Sequence, residues 1–123
     1  LAADVAGVFL DSPVVDARAA LERSATERGV PAWAAGLASA VAGWRYGFDW
    51  DATDYTTGAA AVTTPTLIVQ GTADERAPVE RFAAAAGPAV SVETVDGAGP
   101  GLSWNVDRTR YEQALTDFLQ RVA

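Results

Sequence analysis

The 123 residues are half apolar, enough to bury a core, but no apolar stretch approaches the roughly 20 residues that a membrane span needs. The formal net charge of −7 argues against nucleic acid and against an anionic membrane surface as partners. Cysteine and histidine are both absent, which excludes disulfides, a cysteine nucleophile and imidazole metal ligands, and removes the usual general base near neutral pH.

The first fifty residues are typical of a strand followed by two helices. Residues 5–10 form a short apolar run that ends at the turn Asp11-Ser12-Pro13. This pattern predicts a buried strand. A first helix is expected over residues 16–28, where Gly29 ends it, and Pro31 opens a second one. The sequence begins without an initiator methionine or a charged signal-peptide start, so we expect a missing upstream part.

The second helix carries an apolar stripe on one face. Its members recur at spacings of four, four, three and four, and they are Trp33, Leu37, Val41, Trp44 and Phe48. Such a stripe is more often packed in a core, or as a lid over a pocket, than part of a cofactor site. Residues 49–55 follow as a polar loop. A calcium loop counted from Asp49 would need glycine and glutamate where Asp54 and Ala60 stand, so we predict no metal there.

The second half of the chain alternates strands and helices. Residues 66–70, after Pro65, are the best strand, and they lead into the turn Gly71-Thr-Ala-Asp74. A helix is expected from Pro78 to about residue 86, then an alternating strand over 90–95 and a glycine loop over 97–101. Asp107 is a good N-cap for a last helix that runs to the end. Its predicted stripe consists of Tyr111, Ala114, Leu115, Phe118, Leu119 and Val122.

This order predicts an α/β protein with three layers, in which helices cover both faces of a parallel sheet. The first strand would normally pair with a further strand, since an open apolar edge invites aggregation. We therefore expect part of a larger sheet. Ligands of such sheets gather beyond the carboxyl ends of the strands, where Asp11-Ser12-Pro13, residues 71–74 and residues 97–105 fall. By itself, Asp74 is more often a structural turn residue than a functional one.

Pro65-Thr-Leu-Ile-Val-Gln-Gly-Thr-Ala-Asp74, followed by Ala77-Pro78-Val79, resembles the penultimate strand and acid turn of the α/β-hydrolases. Gln70 stands where that family often has histidine, and Ala77 where it usually has valine. Gly97-Ala-Gly99 and Ser103-Trp-Asn-Val-Asp107 resemble the loop and final helix that follow. Leu10-Asp-Ser-Pro-Val-Val-Asp16 resembles the segment that leaves for a helical lid in bacterial members.

The resemblance implies a Ser-Asp-His triad in which Asp74 is the acid that orients the histidine. The serine should lie on a Gly-x-Ser-x-Gly turn, which this sequence lacks. Ser12 and Ser103 have no flanking glycines and are better interpreted as turn or loop serines. Pro100 occupies the position of the triad histidine, and proline has no titratable group with which to accept the serine proton. The same glycine loop is only weakly similar to a phosphate-binding loop. The dinucleotide-binding fingerprint needs a third glycine where Leu102 stands.

We therefore expect residues 1–123 to be a partial α/β-hydrolase domain, the C-terminal part of a bacterial esterase- or peptidase-like member. Residues 16–50 would form a lid-like helical insertion, and residues 61–123 the acid turn, last strand and C-terminal helix. The parent would be a serine hydrolase of ester or amide substrates that needs no cofactor. This chain would be inactive without the missing N-terminal half. The compartment stays open, with the cytoplasm favoured because no targeting segment is visible.

Two alternatives remain open at this point. One is a catalytically dead α/β-hydrolase-like module that binds or interacts, which Pro100 and the missing serine turn favour. The other is a small flavodoxin-like three-layer domain that folds alone, against which the open first strand counts.

Overall fold

The structure, a computed structural model, describes residues 5–75 and 79–123 and has α/β architecture. The strands are β1 (Val8–Asp11), β2 (Thr66–Gly71) and β3 (Val90–Val95). The helices are α1 (Ala17–Glu27), α2 (Ala32–Tyr46), α3 (Glu80–Ala86), α4 (Ser103–Val106) and α5 (Arg108–Val122). Short 3₁₀ turns lie at Asp51–Thr53, Ala59–Ala61 and Gly87–Ala89.

The sheet is parallel, with strand order β1-β2-β3, which confirms the predicted α/β class and strand direction. Thr66 of β2 lies between Val8 and Val90, which fixes the register. Every residue of β2 is buried, because this central strand has a neighbour on each edge and helices on both faces. Its continuous Leu-Ile-Val run suits a strand that faces apolar surroundings on both sides.

Successive residues of β2 point into two separate cores, one on each face of the sheet. Ile68 packs with Val79 and Phe82 on the α3 side. Leu67 and Val69 pack with Phe118 of α5 on the other side. Fully burying a side chain of this size stabilises a fold by about 1.5–3 kcal/mol, so α3 and α5 are held mainly by these contacts.

Helices α1 and α2 form a hairpin that is held by polar contacts. The Asp16 side chain caps α1 by accepting the N–H of Ala19 at 2.9 Å. Buried Ser39 of α2 donates its hydroxyl to Glu22 of α1, and this hydrogen bond, assisted by Arg18, lowers the pKa of the Glu22 carboxyl. The Trp50 indole donates to the Ser39 carbonyl oxygen at 2.9 Å. Ser39 thus connects α2 both to α1 and to Trp50.

The prediction that the α2 stripe is packed is wrong for the described part of the chain. Trp33 and Trp44 are 75% and 84% exposed, and Leu37, Val41 and Phe48 are each about half exposed. The physical reason is that α2 buries its opposite face, which carries Ala35 and Ser39. Trp33, Leu37, Val41 and Trp44 thus share a face of α2 as predicted, but that face lies outward. Phe48 follows Gly47, the C-cap of the helix, and so lies outside α2.

The remaining predictions of elements need smaller changes. Strand β1 begins at Val8 rather than at residue 5 and includes Asp11. Leu119, placed on the stripe of the last helix, is 54% exposed, whereas Phe118 is buried. Pro78, with which the third helix was expected to begin, lies outside the described residues, as does Ala77. Among the helices described, none is long and apolar enough to cross a membrane.

Candidate active site

Three segments meet at the carboxyl edge of the sheet, because the parallel strands all end there. Strand β1 ends at Asp11, β2 at Gly71 and β3 at Val95. The turn that contains Asp74 follows β2, and the loop that contains Pro100 follows β3. The three segments singled out from the sequence therefore lie at one edge, as predicted.

Asp74 sits in a turn that its own backbone closes. Its N–H donates to the Gly71 carbonyl oxygen at 3.0 Å, and its carbonyl oxygen accepts the Gln70 side-chain amide at 3.2 Å. The residue is only 5% exposed. Gln70 at the end of β2 thus braces the Asp74 turn.

The Asp74 turn is joined directly to the loop after β3. The Ala73 N–H donates to the Ala98 carbonyl oxygen at 3.0 Å. The Thr72 hydroxyl accepts the Gly97 N–H at 2.9 Å and donates to the Asp96 carboxylate at 3.0 Å. Because these bonds link consecutive residues of both segments, the turn and the loop are positioned as a unit.

Gly71 is required where the turn and the loop touch. A Cβ atom added there would lie 1.9 Å from the Ala98 carbonyl oxygen, far inside van der Waals contact. The same carbonyl accepts the Ala73 N–H, so it cannot move away without loss of that bond. The glycine of the resembling motif is therefore explained by close backbone approach.

Pro100 lies half-buried in a tight turn of the loop. The Leu102 N–H donates to the Gly99 carbonyl oxygen at 3.0 Å, and Gly101 has a φ of 67°. Proline at the second position and a positive-φ glycine at the third are the preferences of a type II turn. Pro100 therefore fits the backbone of this turn without conflict.

The end of β1 is tied to the same loop by Ser12. Its hydroxyl accepts the Gly101 N–H at 3.0 Å and donates to the Asp11 carboxylate at 3.1 Å. Ser12 has a φ of 47°, which is uncommon for a residue with a Cβ and marks a sharp turn. The serine next to Pro100 is thus a loop anchor, the structural role expected for it.

Tyr111 of α5 completes this network by donating its hydroxyl to Asp11 at 3.0 Å. Partial burial, together with this hydrogen bond, raises the pKa of Tyr111 to about 12. The sequence placed Tyr111 on the inward stripe of α5, and its ring does pack edge-on against Phe9. Its hydroxyl bond to the end of β1 was not predicted, because nothing in the local pattern relates residues 100 positions apart.

A cavity of about 320 Å³ lies beside the Asp74 turn. Its walls include Gln70 from β2, Asp74 and Glu75 from the turn, Thr94 from β3, and Arg23 from α1. Arg23 of the helical hairpin thus lines the same cavity as Asp74, a contribution that the sequence did not predict. A larger groove of about 540 Å³ lies along Glu93, Asp107 and Arg110. It shares no lining residue with the cavity beside Asp74.

Ser103 occupies the first turn of α4 and is fully buried. Its hydroxyl has no hydrogen-bond partner among the described residues. A group with no access to solvent cannot attack a substrate, so Ser103 is placed as a structural serine. No three acidic side chains in residues 5–75 and 79–123 are clustered as a metal ion would require.

Comparison with protein-family models found no match, and comparisons with curated proteins and with solved structures found none either. The residues at the carboxyl edge of the sheet and their geometry are therefore the basis for a functional assignment.

Proposed function

We propose that this chain is the acid-and-loop part of a serine hydrolase that acts on ester or amide bonds. In this proposal Asp74 is the triad acid, and Pro100 stands where the histidine would be. The observation that carries the proposal is the direct junction between the Asp74 turn and the Pro100 loop at one edge of a parallel sheet. A triad acid and a triad histidine must lie on neighbouring segments, because the carboxylate has to reach the imidazole.

The buried position of Asp74 suits this role. A carboxylate withdrawn from water interacts more strongly with an adjacent cation than an exposed one does, since the local dielectric constant is lower. Such a group would orient an imidazole and stabilise its charged form during proton transfer. Without the imidazole and the serine, Asp74 alone performs no hydrolysis.

The α1–α2 hairpin is proposed as the lid of the parent enzyme. Support comes from Arg23, which reaches the cavity lined by Asp74, and from the insertion of the hairpin between β1 and β2. In α/β folds, a segment inserted after a strand's carboxyl end lies on the ligand-binding side of the sheet. The proposed substrate is a small ester or amide held beneath this hairpin in the intact enzyme.

A catalytically dead relative is the second candidate, and Pro100 favours it. The type II turn fits proline and glycine at its two central positions, so the loop is well formed without histidine. In that case the fold would serve to bind a partner.

We expect no ester hydrolysis by this chain, and none by its Pro100→His variant. The first lacks both base and nucleophile, and the second still lacks the serine turn. Release of nitrophenolate from a short-chain nitrophenyl ester, compared with the heat-killed protein, measures this. Turnover by the unmodified chain above that control would contradict the proposal.

A further inference from the structure

Ser12 adopts a backbone conformation that does not suit its side chain. Within residues 5–75 and 79–123, it is the one residue other than glycine with a positive φ, at 47°. Such a conformation is unfavourable for a residue with a Cβ atom, and it persists only where the surrounding contacts hold it. Strained residues of this kind cluster at functional sites, so we examined what the contacts of Ser12 hold in place.

The backbone of Ser12 is bonded to the strand that leads to Asp74. The Ser12 N–H donates to the Val69 carbonyl oxygen of β2 at 2.9 Å. Two residues later β2 ends at Gly71, whose carbonyl oxygen accepts the Asp74 N–H at 3.0 Å. The position of Ser12 is therefore fixed relative to the Asp74 turn.

The hydroxyl of Ser12 holds the peptide that follows Pro100. It accepts the Gly101 N–H at 3.0 Å and donates its proton to the Asp11 carboxylate at 3.1 Å. Because the proton is given to Asp11, the lone pairs of the oxygen are left for Gly101. The turn itself does not use the Gly101 N–H, since its own hydrogen bond comes from the Leu102 N–H. The serine hydroxyl thus ties the centre of this turn to the end of β1.

Position 100 lies between two such attachments. Two residues before it, the Ala98 carbonyl oxygen accepts the Ala73 N–H of the Asp74 turn at 3.0 Å. One residue after it, Gly101 is bonded to Ser12. A proline at position 100 fixes its own φ through its ring. A histidine there has no such restraint, so its placement depends on these flanking hydrogen bonds.

We propose that Ser12 is a positioning residue, whose hydroxyl holds position 100 where the Asp74 carboxylate can act on an imidazole carried there. This inference rests on the proposed function, in which position 100 is that of the triad histidine. A triad acid acts on the imidazole by direct hydrogen bonding. A displacement of only about 1 Å within a catalytic site can cost about 100-fold in rate, so a loop held on both sides of position 100 is suited to the task.

NMR titration of the single imidazole in Pro100→His tests the role of Ser12. The reference is the amount by which Asp74 raises the imidazole pKa, taken from the comparison with Pro100→His/Asp74→Asn. Adding Ser12→Ala or Ser12→Gly to Pro100→His should remove about half of that rise or more. With Asp74→Asn present, the same Ser12 substitutions should change the pKa far less, because Ser12 acts through the placement of the ring beside Asp74. An equal change in both backgrounds would mean that Ser12 or Asp11 acts on the ring directly, and it would overturn the proposal.

The two Ser12 substitutions separate positioning from stability. Both remove the hydroxyl, but glycine adopts a positive φ readily, whereas alanine does not. We therefore expect Ser12→Gly to melt at a higher temperature than Ser12→Ala when unfolding is followed by circular dichroism. The imidazole pKa should nevertheless fall equally in the two variants. A fall that follows the Tm instead of the loss of the hydroxyl would contradict a positioning role.

The remaining outcomes distinguish this inference from the proposed function. If Asp74 raises the imidazole pKa and the rise survives both Ser12 substitutions, Ser12 is not a positioning residue, while the role of Asp74 stands. If the pKa is the same with and without the Asp74 carboxylate, the proposed function fails and the role of Ser12 fails with it.

Discussion

Replacement of Gly71 by alanine should remove most of the stability of the fold. The added Cβ would lie 1.9 Å from the Ala98 carbonyl oxygen and 2.6 Å from the Ala98 Cβ. Both neighbours belong to a segment that is bonded to the turn, so the clash is relieved only if β2 and the loop separate. We expect a loss above about 4 kcal/mol, which is exceptional for one substitution, and a fall in Tm of roughly 15 °C or more.

Gly99→Ala is the matched control, because it lies in the same loop and meets nothing closer than Leu102 Cδ1 at 3.6 Å. Its Tm should change by only a few degrees. Thermal melting followed by circular dichroism compares the two variants. If Gly71→Ala melts like Gly99→Ala, the turn and the loop are not in the contact described. The proposal that Asp74 and position 100 belong to one site would then lose its structural basis.

The largest functional effect is expected when the chain is joined to a serine-bearing half. In a chimera, this sequence would replace the corresponding part of an active α/β-hydrolase that supplies the Gly-x-Ser-x-Gly turn. With Pro100 the chimera should show only the residual hydrolysis that substrate binding and the oxyanion hole supply without a base. Pro100→His should restore ester hydrolysis. Asp74→Asn in the restored chimera should lower kcat by about 10⁴-fold, because the imidazole then takes the wrong tautomer.

The control in this series is Asp96→Asn, an exposed carboxylate in the neighbouring loop that bonds Thr72. It should change kcat far less than Asp74→Asn does. Melting curves show whether each chimera is folded before rates are compared. Equal losses for the two aspartates, in folded chimeras, would remove Asp74 from the triad role.

Much of the fold could be predicted because its signals are local. The Leu-Ile-Val run after Pro65 predicts a buried strand, and Asp107 predicts the start of α5, where it caps the Arg110 N–H at 3.0 Å. Alternating strands and helices then dictate a parallel sheet with ligand-facing loops at one edge. The approach of the Asp74 turn to the Pro100 loop follows from this topology.

What could not be predicted depends on distant partners. Ser12 bonds Gly101 from 89 residues away, and Tyr111 bonds Asp11 across 100. The spacing of Trp33 and Trp44 predicts that they share a face of α2, but not whether anything covers that face. Periodicity reports the direction of side chains along one helix, whereas burial depends on what lies opposite.

The most direct test of the central claim is the pKa of an imidazole placed at position 100. The chain has no histidine of its own, so NMR titration of Pro100→His gives a single imidazole signal. If Asp74 faces this position, its carboxylate stabilises the charged ring, and the pKa should lie about one unit or more above that in Pro100→His/Asp74→Asn. Equal pKa values in the two variants, both near the ordinary value of about 6.5, would contradict the assignment of Asp74 as the acid of a triad.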